Sequence, residues 1–158
     1  MRLARIVSGG QTGVDIAALD AALAVGFPCG GWVPRGRFNE DGPIDPRYPV
    51  KETDSRKLAL RTEWNVRDAD ATLILSRGKL SGGSALTQRL AQRYGKPCLH
   101  ADLAALSPDD AVSRIEPWLN EIDGAVLNVA GPRASTDAEI YGLAYRVIAA
   151  LLARRGAA

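Results

Sequence analysis

Two short glycine-rich stretches hold the residue types in this chain best suited to chemistry. The first is Ser8-Gly9-Gly10-Gln11-Thr12-Gly13-Val14-Asp15, set between an apolar run and a strongly helical one. Glycines let the backbone take positive φ and let a ligand approach without a Cβ in the way. The first turn of the following helix offers free N–H groups and the positive end of the dipole. Such a turn is built to hold an anion, most often a phosphate. The pattern is neither GxGxxG nor the Walker motif, since no Lys-Ser/Thr pair follows. Asp15, one residue inside the helix, is favourably placed near the dipole and could accept a hydrogen bond from a ligand hydroxyl.

The second stretch is Ser81-Gly82-Gly83-Ser84-Ala85-Leu86-Thr87, again between an apolar run and a helix. Ser84 can cap that helix or offer its hydroxyl to a ligand. A third turn, Ala130-Gly131-Pro132-Arg133, follows the last apolar run, and Arg133 could fork onto an oxyanion. The candidate ligand-binding set is therefore Gly9, Gly10, Gln11, Thr12, Gly13 and Asp15, then Gly82, Gly83, Ser84 and Thr87, then Gly131 and Arg133. Arg35, Arg37, Arg77 and Lys79 add positive charge near these turns, which favours an anionic ligand. His100 is the one histidine, and Cys29 and Cys98 lie far apart. They supply neither a multi-histidine metal site nor a disulfide framework, and the two thiols read as reduced core groups.

The elements that must position these turns follow from hydrophobic patterning. Five strand-like runs stand out: Leu3–Val7, Phe27–Trp32, Ala71–Ser76, Pro97–Ala101 and Ala125–Val129. Helical stretches separate them, at 14–25, about 55–67, 84–94 and about 108–122, with a last helix carrying an apolar stripe from Ile140 to Leu152. Ser107 is placed to cap the fourth helix, and Pro117 should bend or split it. Short Val/Ile/Leu-rich strands alternating with helices predict an α/β fold: a mainly parallel five-stranded sheet with helices on both faces. An order 2-1-3-4-5 would place the strands before the two glycine pairs side by side, so that both turns face one cleft at the switch point. The segment 33–53, with Pro34, Pro43, Pro46 and Pro49, is too long for an ordinary connection. It reads as a lid or specificity loop carrying Pro34, Arg35 and Arg37, or as a poorly ordered insertion.

The length of 158 residues suits one domain, 1–158. A net charge of +2 with no clustered basic stripe argues against nucleic acid. No window approaches a membrane span or a secretion signal, so a cytoplasmic protein without membrane partners is expected.

At this point the residues resemble a family. Gly9-Gly10-Gln11-Thr12-Gly13-Val14-Asp15, Gly30-Gly31-Trp32-Val33-Pro34-Arg35-Gly36-Arg37, Glu40-Asp41-Gly42, Glu52-Thr53, Arg61-Thr62-Glu63-Trp64-Asn65-Val66-Arg67-Asp68, Gly82-Gly83-Ser84-Ala85-Leu86-Thr87 and Asn128-Val129-Ala130-Gly131-Pro132-Arg133 are similar to the family called "putative molybdenum carrier". The likeness covers nearly the whole chain. That family belongs with the Lonely Guy phosphoribohydrolases and the YpsA-type and DprA-type proteins. The resemblance implies a Rossmann-like three-layer sandwich. It implies a molybdenum cofactor (molybdopterin), or another phosphorylated pterin or nucleotide, held at the paired turns. It also implies a homo-oligomer, dimer or tetramer. Lonely Guy enzymes use a glutamate that falls on Arg89 here, so their nucleotide cleavage is not expected, and binding rather than catalysis is the reading. The alternative is a nucleotide-binding sensor or a nucleotide N-glycoside hydrolase. A DNA-binding role like that of the DprA relatives would need the basic stripe that is missing.

Overall fold

The computed structural model describes residues 1–156. Its central sheet is parallel and contains β1 (Arg5–Val7), β2 (Cys29–Gly30), β7 (Ala71–Ser76), β8 (Cys98–Asp102) and β9 (Val126–Ala130). Helices α1 (Val14–Ala24), α4 (Pro108–Asn120) and α5 (Ile140–Arg154) pack together on one face. Helices α2 (Leu58–Asp68) and α3 (Gly82–Arg93) pack together on the other. The larger core lies under α1, α4 and α5, with Ile6, Leu73, Leu75, Leu127 and Val129 from the sheet. A smaller cluster, Val66, Leu90 and Ala91, sits under α2 and α3. Two buried faces explain why β7 is buried throughout and does not alternate. Ser107 caps α4 by accepting from the Asp110 N–H at 3.1 Å, and α4 continues unbroken through Pro117.

The order of the sheet is β2-β1-β9-β7-β8, not the expected succession in which β7 stands beside β1. The last strand is inserted between them, with Ile6 paired to Leu127 and Leu127 paired in turn to Ala71. The reason lies in contacts between residues far apart in sequence. The Asp70 carboxylate, at the foot of β7, accepts from the Ala125 and Val126 N–H groups at 2.8 and 2.9 Å. Gly124 makes that approach possible, because a Cβ there would sit 2.5 Å from Asp70, at a φ of 140°. β9 is buried along its middle and suits a central place, whereas half-exposed β8, with His100 and Asp102, suits an edge.

The segment 33–53 is ordered and built from small pieces. β3 (Trp32–Val33) pairs in parallel with β6 (Lys51–Glu52), and β4 (Phe38–Asn39) forms a hairpin with β5 (Gly42–Pro43). Ile44, Tyr48 and Val50 join the main core. Arg37 donates to the carbonyls of Asp45, Tyr48 and Val50 at 3.0–3.3 Å, so its charge fastens the loop to itself. Pro34 is buried, Arg35 is exposed, and neither they nor Arg37 border the cleft described below.

Candidate functional site

A cleft of about 1250 Å³ opens at the carboxyl ends of β1, β9, β7 and β8, between α2 and α3 on one side and α5 on the other. This is where open α/β sheets place their ligands. All three predicted turns reach it, although the first two are separated by β9. The third turn, at the end of β9, fills the space between them.

The second turn is the most open. Helix α3 begins at Gly82 itself, so the N-cap position is Ser81, whose side chain makes no cap bond. Ser84 is not the cap expected from the sequence; it lies inside the first turn and is buried against the cleft. Thr87 donates back to the Gly83 carbonyl at 2.8 Å. Gly82 adopts φ +51, which accounts for its lack of a side chain. Gly83 has an ordinary φ, and a Cβ there would meet nothing within 4 Å. Glycine inside a helix costs roughly 0.5–1 kcal/mol relative to alanine. The fold draws no packing benefit from that cost; Gly83 is exposed and borders the cleft, and the first N–H groups of a helix have no intrahelical partner.

The first turn behaves differently. Gly9 and Gln11 border the cleft, but Gly10, Thr12 and Gly13 stand outside it. A Cβ on Gly10 would meet Val33 at 2.7 Å, and one on Gly13 would meet the Pro132 carbonyl at 2.3 Å. The first N–H of α1, at Val14, donates to that same carbonyl at 3.2 Å, so this helix end is occupied by the chain. Gln11 Oε1 accepts from the Thr12 and Glu40 N–H groups at 3.1 and 3.0 Å. The Thr12 hydroxyl donates to the Glu40 carboxylate and accepts from the Ala134 N–H at 3.0 Å. Glu40 also takes the Ser135 hydroxyl at 2.6 Å, and these bonds hold its carboxyl below the usual range. Most of the first turn therefore ties together loops 33–53 and 131–135.

In the third turn Gly131 and Arg133 both border the cleft. Gly131 is required by packing, since a Cβ would sit 2.2 Å from the Leu75 carbonyl. Arg133 is half-exposed, 4.0 Å from Glu40.

Asp15 is buried and lines the cleft. Its Oδ2 accepts from the Gln11 N–H at 3.2 Å and from Arg61 Nη1 at 3.3 Å. Desolvation pushes its pKa up to about 6, with Arg61 pulling in the opposite direction. Arg61 belongs to the site although it is absent from the predicted set. The available signal was its spacing from Asn65: four residues on a helix share a face. Asn65 uses that face to grip β3, accepting from the Trp32 N–H at 2.8 Å and donating to the Trp32 carbonyl at 2.9 Å. Trp64 packs edge-on against Trp32, 4.9 Å between centroids. Arg67 stacks on Trp64 and pairs with Asp68.

Five basic residues border the cleft, Arg61, Arg77, Lys79, Arg133 and Arg146, against three acidic ones, Asp15, Asp137 and Glu139. Arg77 is neutralised locally, holding Asp137 through two bonds of 2.7–2.8 Å and Glu139 at 2.7 Å. Lys79, Arg133 and Arg146 keep the excess positive. A further pair escaped the sequence reading: Ser76 Oγ lies 2.6 Å from His100 Nε2 and donates to the Gly78 carbonyl at 3.0 Å. Asp102 accepts from the Gly78 N–H at 2.7 Å, so Ser76 and Asp102 together pin the loop that carries Arg77 and Lys79. Arg89 is exposed and outside the cleft.

A parallel sheet between helical layers, with glycine-led turns meeting over the ends of its strands, defines a Rossmann-like α/β protein. Residues 6–152 match the model of the circularly permutated YpsA SLOG family, and the chain belongs to that family. The permutation agrees with the strand order, in which the last strand stands in the middle. The chain is also similar to the crystal structure of a "putative molybdenum carrier protein" from Syntrophus aciditrophicus SB, at 47% identity, 96% coverage of both chains and a TM-score of 0.93. No curated protein matches it. Among the described residues no helix is long and apolar enough to cross a membrane.

Proposed function

We propose that the cleft binds a phosphorylated, anionic small molecule and that the protein carries it without turning it over. The cargo is a molybdenum cofactor or a related phosphorylated pterin. The observation that carries this reading is Gly83, an exposed helical glycine with no packing reason, which borders the cleft in the first turn of α3. Lys79, Arg133 and Arg146 supply a positive surround. The name of the similar bacterial protein supports molybdenum as part of the cargo. Among the described residues no three His, Cys, Asp or Glu side chains gather as a metal site, so a metal would arrive already held by its organic ligand. Carrying requires complementarity to the ground state alone, and no carboxylate stands where Lonely Guy enzymes use one. Incubation with AMP should therefore release no free base, while a phosphorylated pterin should be retained at one per chain and oxidise more slowly than when free. Repeated release of base with no pterin retained would hand the cleft to a nucleotide hydrolase.

A further inference from the structure

Arg77 makes the shortest ion pairs in the cleft, and it makes them with the protein itself. Its Nε donates to Asp137 Oδ2 at 2.8 Å and its Nη2 to Asp137 Oδ1 at 2.7 Å, so one carboxylate fills the side of the guanidinium fork. Its Nη1 donates to Glu139 Oε2 at 2.7 Å. A phosphate uses the same fork in the same bidentate way. All three residues border the cleft, and Arg77 stands on the connection from β7 to α3 that also leads to Gly82 and Gly83. A guanidinium suited to an anion is thus engaged by carboxylates of the same chain.

The backbone on either side of this pair is held by other bonds. Asp102 accepts from the Gly78 N–H at 2.7 Å, and Ser76 Oγ donates to the Gly78 carbonyl at 3.0 Å. Across from them the Asp137 N–H donates to the Arg133 carbonyl at 3.1 Å, and Asp137 Oδ1 accepts from the Glu139 N–H at 3.1 Å. The Arg77 side chain can therefore change partners while both loops stay in place. Its side chain is 37% exposed and that of Glu139 is 73% exposed. Ion pairs in such surroundings are weak, so exchange with a stronger anion is cheap. We propose that Asp137 and Glu139 are a built-in competitor of the cargo: they hold the Arg77 fork until a phosphorylated ligand takes it from them, and they retake it when the ligand leaves. This rests on the phosphate-binding reading above and adds what limits the affinity of that site and what helps a carrier release its load.

The test uses the full chain and inorganic pyrophosphate as the probe. In titration calorimetry Asp137→Asn/Glu139→Gln should bind it about fivefold more tightly than wild type, the order of one exposed ion pair. Asparagine keeps an acceptor for the Glu139 N–H, and Glu139→Gln alone, at an exposed position, should give a smaller gain in the same direction. Arg77 is followed by its Nε–H resonance in NMR, assigned by its absence from Arg77→Lys. Pyrophosphate added to the wild type should shift that resonance. Tighter binding with an unmoved Arg77 resonance would mean that the carboxylates act only through their charge, and it would overturn the competition. Unchanged affinity in both variants would overturn it too. If pyrophosphate then still binds the wild type and is lost in Gly83→Val, the phosphate site stands without its competitor. If neither the wild type nor the double variant binds it, both readings fall together.

Discussion

The two glycine pairs look alike in sequence and do opposite work. At Ser8–Asp15 the glycines are there because the chain itself comes close: Gly10 against Val33 and Ile44, Gly13 against Pro132. The helix end behind them is occupied by a carbonyl, and Gln11 and Thr12 hold two loops together. At Ser81–Thr87 the glycines face empty space and the helix end is open. The lesson is that a glycine-rich strand-to-helix turn marks a close approach without saying what approaches. In the first turn it is mostly protein, and in the second the best candidate is a ligand.

That contrast can be broken where the first turn is most tightly packed. Gly13→Ala combines a φ of +78 with a Cβ only 2.3 Å from backbone. Strain and overpacking together should cost about 3 kcal/mol. For a domain of this size that lowers the Tm by about 6–12 °C in a calorimetric scan. An unchanged Tm would mean that the first turn is as open as the second.

Asp15 sharpens the comparison from the electrostatic side. Its folded pKa, about 6, lies above the ordinary 3.8. The folded state therefore holds this proton more tightly than the unfolded state does. The penalty for ionising Asp15 in the fold is absent below about pH 4, grows as pH rises to 6, and is complete above that. It amounts to about 3 kcal/mol at pH 7. The stability of Asp15→Asn relative to wild type, followed by urea denaturation, should rise by about that amount between pH 4 and 7. A pH-independent difference would mean that Asp15 is not the buried charge holding Arg61 in the cleft.

The smallest expected effect lies in the open turn. Gly83→Ala should raise the unfolding free energy by about 0.5–1 kcal/mol, since a helical glycine is relieved and nothing is struck. A loss of stability there would show that the space is used by the fold.

Much of this arrangement was legible in the sequence, because it rested on local signals. Ala71–Ser76 appears as a strand with the expected ends, and the helices differ from expectation by a few residues at their termini. The three turns meet at the strand ends. The position of β9 was not legible, since it depends on Asp70 and Gly124 meeting across a long sequence separation. Nor was the division of labour between the turns. That division is set by Val33, Ile44, Pro132 and Glu40, which reach the first turn from distant loops and leave the second alone. Arg77 looked like free positive charge until Asp137 and Glu139 were brought beside it by the fold.

The central claim is that Gly83 keeps space for a phosphorylated cargo. The most direct measurement is mass spectrometry, with metal analysis, of the small molecule that co-purifies with wild type and with Gly83→Val, a substitution whose Cβ meets nothing in the fold. The account predicts a phosphorylated pterin with the wild type and none with the equally folded variant. The same cargo from both proteins, or a wild-type cargo without phosphate, would contradict it.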